Sequence, residues 1–319
     1  MSCFNATPTR TGERRPREVL PAYADFVLSL VDTGAMAPLK VVLDGANGMA
    51  GTMLAPILER LPIDAVRCYM EPDGSFPHHQ PNPLLEENRQ FIIGKVREEG
   101  ADLGIAWDGD ADRCFFVDDT GEFVPGDFVT ALLAERLLER YPGGTVLYDL
   151  RASRAVPDTI ERLGGRAVKS RVGHAFIKLR IREEDAVFAG EVSGHYYFKD
   201  FFGVDTGIVP ALLMLEQVSR GGGKLSELVR PLRERYYISG EINTAVSDVA
   251  LTLQTLKERF GTGAEITHLD GLSVDFPDWH FNVRPSNTEP LLRLNLEAFS
   301  AEDLERRTAE VLGVIRGGA

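Results

Sequence analysis

Two stretches of this chain share one plan. LKVVLDGANGMAGTMLAPILERLP begins at Leu39 and GTVLYDLRASRAVPDTIERLGG at Gly144. Each passes from an apolar strand to a carboxylate (Asp44, Asp149), through a turn, into a helix ending Glu-Arg-Leu. A repeated strand-turn-helix unit buries its apolar faces by laying helices on a sheet, and alternation of strands and helices predicts parallel α/β layers. Around the first copy, helical spacing covers VLPAYADFVLSLVD, strands cover DAVRCYM and DLGIAW, and a helix covers Asn88 to Glu99. EPDGSFPHHQPNP holds four prolines and is read as irregular.

The repeat places one α/β domain over residues 19–120 and a second over 121–235. From 236 to 319 the texture changes. A strand (YYISGEINTAV), a helix (Asp248 to Phe260), a hairpin (EITHLDGLSVDFP with WHFNVRPS), a strand (LLRLNLEAFS) and a last helix (Asp303 to Arg316) predict a small α+β domain with an antiparallel sheet. The 319 residues suit two or three domains of about 100–150 residues each. Residues 1–18 carry Thr, Arg and Pro with few apolar residues. Pro8 and Pro16 interrupt any amphipathic targeting helix, so a disordered tail is the preferred reading.

A net charge of −13 argues against a general nucleic-acid or acidic-membrane surface, while a phosphorylated small molecule needs only a few placed cations. Cys3, Cys68 and Cys114 have neither zinc-site nor disulfide spacing, which points to a reducing cytoplasm. No apolar run reaches the ~18 residues of a membrane span.

In IAWDGDADRCFF, Asp108, Asp110 and Asp112 alternate between apolar runs. Unpaired carboxylates are costly to bury, so a positive partner is expected. Oxygen-only ligands select a hard divalent ion, Mg²⁺ before Zn²⁺. The other readings are a solvated turn, an EF-hand loop and a phosphatase nucleophile. The EF-hand fails because Arg113 stands where Gly is required and the flanks read as strands. The phosphatase reading would make Asp108 the nucleophile. KSRVGHAFIK gathers three cations around Gly173 and His174, unless it is only a basic turn. In GEVSGHYYF, Glu191, Ser193 and His195 alternate between glycines and suit vicinal sugar hydroxyls. RPSNTEP offers the donors of a phosphate cradle, or a plain hairpin turn.

In this order, DGDADR, GHAFIK, GEVSGH and RPSNTEP, with DGANGMAG and FPHHQPNP upstream, resemble the α-D-phosphohexomutase family, of the bacterial phosphomannomutase/phosphoglucomutase type. The resemblance implies two tandem phosphoglucomutase-type α/β domains, then a small α+β domain resembling the TATA-binding-protein fold. It implies interconversion of hexose 6-phosphate and hexose 1-phosphate, with a phosphoserine donor and glucose 1,6-bisphosphate or mannose 1,6-bisphosphate as intermediate. Asp108, Asp110 and Asp112 would hold Mg²⁺, and Arg113 would lie beside the transferring phosphate. Glu191 and Ser193 would grip sugar hydroxyls, supported by His195. Arg284, Ser286, Asn287 and Thr288 would hold the non-reacting phosphate. Arg151 and His174 would contact substrate, helped by Lys169 or Arg171, with His174 a candidate for proton transfer. The Thr-Ala-Ser-His-Asn-Pro loop of the family's first domain is not found in the sequence. The expectation is therefore a chain lacking the phosphoserine domain: a truncated product, half of a split enzyme served by a separate chain, or a phosphosugar binder without turnover.

Overall fold

The computed structural model describes residues 13, 15–286 and 291–317. Most of the expected tail lies outside these residues, and 15–19 form no helix or strand.

The first unit contains α1 (Leu20–Leu28), β1 (Lys40–Asp44), α2 (Ala50–Leu58), β2 (Asp64–Cys68), α3 (Glu86–Glu99), β3 (Leu103–Trp107), β4 (Cys114–Asp118) and β5 (Phe123–Val124). The second contains α4 (Gly126–Arg140), β6 (Thr145–Asp149), α5 (Ala155–Arg162), β7 (Arg166–Ser170), α6 (His174–Glu183), β8 (Phe188–Gly190), β9 (Tyr196–Phe198), β10 (Val204–Asp205), α7 (Ile208–Arg220) and α8 (Leu225–Arg235). The sheets run β2-β1-β3-β4-β5 and β7-β6-β8-β9-β10, so the repeat seen in the sequence is a repeat of topology.

Each sheet is parallel only in its first three strands; β3-β4-β5 and β8-β9-β10 are antiparallel. This corrects the all-parallel expectation, and loop length is the reason. The connections 108–113 and 191–195 are far shorter than the dozen or so residues a parallel crossover needs, so the chain turns straight back. Those tight reversals hold DGDADR and GEVSGH.

Local chemistry sets the element ends. Gly100, at φ +58°, closes α3 by donating its N–H to the Arg97 and Val96 carbonyls. Along α2 the apolar positions Ala50, Leu54, Ile57 and Leu58 recur on one face and are buried. The two units share one core, in which Leu54 and Ile57 pack in the same cluster as Phe128, Leu132, Ile208 and Leu212. Trp107 is fully buried in it, and its indole N–H donates to the Gly207 carbonyl at 2.8 Å across the two units. Left unpaired, that N–H would cost about 1–3 kcal/mol.

The C-terminal unit contains β11 (Tyr237–Ile238), β12 (Ile242–Ala245), α9 (Val249–Phe260), β13 (Glu265–Thr267), β14 (Leu272–Asp275), β15 (Trp279–Pro285), β16 (Leu291–Ala298) and α10 (Ala301–Ile315). The expected single strand over YYISGEINTAV is broken at Gly240, at φ +67°, into β11 and β12, both paired antiparallel to β16. The expected hairpin is a meander of β13, β14 and β15. Asp248 and Ser300 cap α9 and α10 through their side chains, so the last helix begins at Ala301 instead of Asp303. This unit has a core of its own, built on Leu256, Phe260, Phe281, Leu294 and Val311. No described helix is long and apolar enough to cross a membrane.

Candidate functional site

The three aspartates converge. One carboxylate oxygen from each of Asp108, Asp110 and Asp112 lies within 4.8 Å of the others, with Asp108 buried and Asp110 exposed. The loop reaches this shape through Ala111, held at φ +62°. Neighbouring backbone clamps it: Met49 N–H donates to the Gly109 carbonyl at 2.9 Å and Gly207 N–H to the Ala111 carbonyl at 3.0 Å. A Cβ on Gly48 would stand 2.6 Å from the Gly109 oxygen, so the turn in DGANGMAG must be glycine for the clamp to close.

The positive partner anticipated for the cluster is in part Arg113. Its backbone N–H and its Nε donate to the two Asp108 oxygens at 3.0 and 2.7 Å. Its guanidinium also reaches Asn82 Oδ1 at 3.4 Å, and Asn82 belongs to the proline-rich loop. Burial pushes the Asp108 carboxyl up to about 6 against the pull of Arg113. Strands on both sides of the loop dispose of the EF-hand. Three convergent carboxylates with no nitrogen or sulfur donor fit a hard divalent cation such as Mg²⁺.

The GEVSGH turn stands against this loop. Cys114 N–H donates to the Gly194 carbonyl at 3.0 Å, and Arg113 forms a β-bridge with His195. Gly194, at φ +87°, permits the turn. The buried Glu191 accepts from the Tyr197 hydroxyl at 2.5 Å and from Gly173 N–H at 3.2 Å, which fixes its carboxylate. Ser193 Oγ lies 2.9 Å from His195 Nδ1, and His195 Nε2 lies 3.6 Å from Asp112 Oδ1. Against the downward push of burial, Asp112 and Glu191 hold the His195 imidazole above its ordinary value. His195, beside Asp112, holds that carboxyl below the usual carboxylate range. Asp205 also approaches Asp112 and His195, but Lys178 Nζ already neutralises it at 2.7 Å.

A third group lies where the second and C-terminal units meet. The Arg151 side chain, 8% exposed, lies on Asp149, its Nε and Nη2 donating at 3.0 and 2.8 Å. The same carboxylate accepts from Val192 N–H at 2.8 Å, so it ties Arg151 to the GEVSGH turn. Arg284 on β15 pairs in register with Arg293 on β16. Burial, followed by Arg151, lowers the Arg284 pKa. Ser286 closes the hairpin base, its N–H donating to the Leu291 carbonyl at 2.9 Å, and its hydroxyl accepts from Arg293 at 3.4 Å. Asn287 and Thr288 lie outside the described residues.

His174 is exposed at the start of α6. Lys169 leans toward the C-terminal unit, 3.9 Å from Asp275, and Arg171 stacks on Phe176 at 3.9 Å. Sequence reasoning missed Tyr197, Glu241 and Arg293. Arg293 had a signal: alternation along RLNLE places it on the same face as Glu297, as Arg284 is placed with His280. Glu241 had none.

Three family profiles match the chain. They are described as phosphoglucomutase/phosphomannomutase alpha/beta/alpha domain II over residues 21–121, alpha/beta/alpha domain III over 125–236, and C-terminal domain over 241–314. A protein of Xanthomonas campestris pv. campestris described as "Phosphohexose mutases" is 44% identical over 309 residues, covering 96% of this chain and 69% of its own length. A phosphomannomutase of Salmonella montevideo is 41% identical over 311 residues, covering 95% and 68%. The crystal structure of a phosphoglucomutase/phosphomannomutase family protein of Burkholderia thailandensis superposes with a TM-score of 0.83 at 32% identity. That match covers 95% of this chain and 66% of the other, so the chain spans about two thirds of the length of such proteins.

Proposed function

The chain belongs to the phosphoglucomutase/phosphomannomutase family, and from that premise we propose that it binds hexose phosphates and serves the interconversion of hexose 6-phosphate and hexose 1-phosphate. The observation that carries this reading is the direct lock between the two tight reversals. Cys114 bonds to Gly194, and His195 stands between Ser193 and Asp112, so the carboxylate cluster and the GEVSGH turn are held against each other.

In this proposal Asp108, Asp110 and Asp112 hold Mg²⁺, which when bound supplies positive charge to offset the charge that develops on a transferring phosphoryl group. Arg113 keeps Asp108 oriented and sets the loop's shape. The fixed Glu191 carboxylate and Ser193 accept hydroxyls of the sugar, with His195 holding Ser193. Arg284 and Ser286, together with Asn287 and Thr288, bind the phosphate that does not react, and Arg151 faces it from the second unit. His174 and Lys169 line the approach, His174 being the residue best placed by exposure to exchange a proton. Glucose 1,6-bisphosphate or mannose 1,6-bisphosphate is the expected intermediate. The phosphoryl donor in this proposal is a serine outside the described residues.

The test is conversion of mannose 1-phosphate to mannose 6-phosphate with Mg²⁺ and catalytic glucose 1,6-bisphosphate, with and without a relative's phosphoserine domain. Turnover is expected with that domain, and loss of turnover in Asp108→Asn. Release of inorganic phosphate that depends on Asp108, or hexose phosphates that give no protection against heat, would refute the reading.

A further inference from the structure

The three arginines beside the second and C-terminal units already hold an anion, and it is part of the chain. Glu241 Oε2 lies 3.3 Å from an Arg284 nitrogen and 3.7 Å from one of Arg151. Its Oε1 lies 3.4 Å from Arg293. One carboxylate therefore spans three guanidiniums from two units, the arrangement a phosphate with several oxygens would adopt. Among the described residues, the buried Nε groups of Arg284 and Arg293 have no hydrogen-bond partner, so the cluster keeps donor capacity that Glu241 does not use.

We propose that Glu241 is an internal stand-in for the substrate phosphate, holding Arg151, Arg284 and Arg293 together until the phosphate displaces it. The proposal rests on the phosphate-binding role given to Arg284 above.

Charge supports displacement over joint occupancy. Three guanidiniums meet two carboxylates, Asp149 and Glu241. Withdrawing Glu241 leaves two net positive charges among these groups, which is what a phosphate monoester dianion neutralises. A phosphate arriving with Glu241 in place would meet a like charge at contact distance. The hold is also weak enough to release. The Glu241 side chain is 27% exposed and its contacts run from 3.3 to 3.7 Å, long for ion pairs. Backbone geometry gives it a way out. Gly240 immediately precedes it at φ +67°, with open space where a Cβ would sit, at the break between β11 and β12.

Without an anion at this point the arginines repel one another, and phosphate binding would have to pay for assembling them. With Glu241 present they are assembled in advance, at the cost of competition for the site. Glu241 thus acts as a positioning residue that trades affinity for readiness and for easier product release.

The experiment is calorimetric titration of the chain with inorganic phosphate and with mannose 6-phosphate, on wild type, Glu241→Gln, Glu241→Asp and Arg284→Ala. Melting temperatures establish that each variant is folded. Glu241→Gln keeps the shape and removes the charge, so it should bind both probes about three- to tenfold more tightly. Glu241→Asp should stay near wild type, and Arg284→Ala should lose binding. Equal or weaker binding by Glu241→Gln, with Arg284→Ala still losing it, overturns the stand-in and leaves the phosphate site standing. Binding by neither wild type nor Glu241→Gln overturns the phosphate site and the stand-in with it.

Discussion

The two α/β units end their first strands on the same residue and use it differently. Asp44 and Asp149 both lie at the C-terminal end of the strand that sits second in its sheet, and both are buried. Asp149 takes Arg151, a permanent cation, and holds it for the arginine cluster. Asp44 caps Ala46 N–H at 3.0 Å and takes His79, whose Nε2 lies 3.1 Å away. His79 Nδ1 lies 2.9 Å from the Gln80 carbonyl, so that bond pins the proline-rich loop, whose Asn82 reaches Arg113. The duplicated scaffold supplies a buried carboxylate at one place, and what folds over it decides the use. Where the partner joins the arginine cluster it is always ionised. Where only a loop needs anchoring, a titrating partner suffices.

The sharpest way to break this comparison is to delete each carboxylate. Asp149→Ala strips Arg151 of its close partner and leaves it only the 3.7 Å contact to Glu241, so it should cost about 3 kcal/mol in urea unfolding. Asp44→Ala leaves a histidine that can lose its proton, so its cost should be about 1–3 kcal/mol. Equal losses would show that the two pairs do the same job. A second test turns on the loops these units carry. Mg²⁺ at a hundred times its dissociation constant should stabilise the wild type by about 2.7 kcal/mol. Thermal shift should show that gain vanish in Asp112→Asn, whereas Ser193→Ala, on the GEVSGH turn, should retain it.

Most of the scaffold was legible because it repeats. Strand, Asp, turn and Glu-Arg-Leu helix recur in order, and the sheets then share one strand order. Strand direction was less legible, since periodicity identifies a strand without saying which way its neighbour runs. Loop length carried that information, and 108–113 was long enough in chemistry but too short in reach for a crossover. The carboxylate cluster could be read because its three members sit within five residues. Partnerships set by tertiary folding could not. His79 is 35 residues from Asp44, and Glu241 is 43 from Arg284, with nothing local marking either pair. The bond from Arg113 Nε to Asp108 was likewise not marked in the sequence, and it closes a loop that passes through Ala111 at φ +62°.

The smallest expected effect is also the most specific to the difference between the units. The hydrogen bond to Asp44 raises the His79 pKa above its ordinary value of 6.5, against the downward push of burial. A folded-state pKa above the unfolded one means that the folded protein binds the proton more tightly. The stability from this pair is therefore complete below about 6.5 and fades as pH rises through the raised folded value. The Arg151 pair has no such window, because its guanidinium stays charged throughout. Urea midpoints of wild type and His79→Gln should accordingly converge as pH is taken from about 5.5 to 8.5. The gap between wild type and Asp149→Asn, which leaves only the permanently charged Arg151, should stay flat over the same range. Using differences from each variant removes the background titration of Asp108, Asp127 and Glu297, which burial moves up to about 6, 6 and 8. A His79 gap that stays constant with pH would mean that its ring acts by packing against Tyr69 and Phe91, at centroid distances of 5.7 and 6.1 Å, and that charge plays no part in holding the loop.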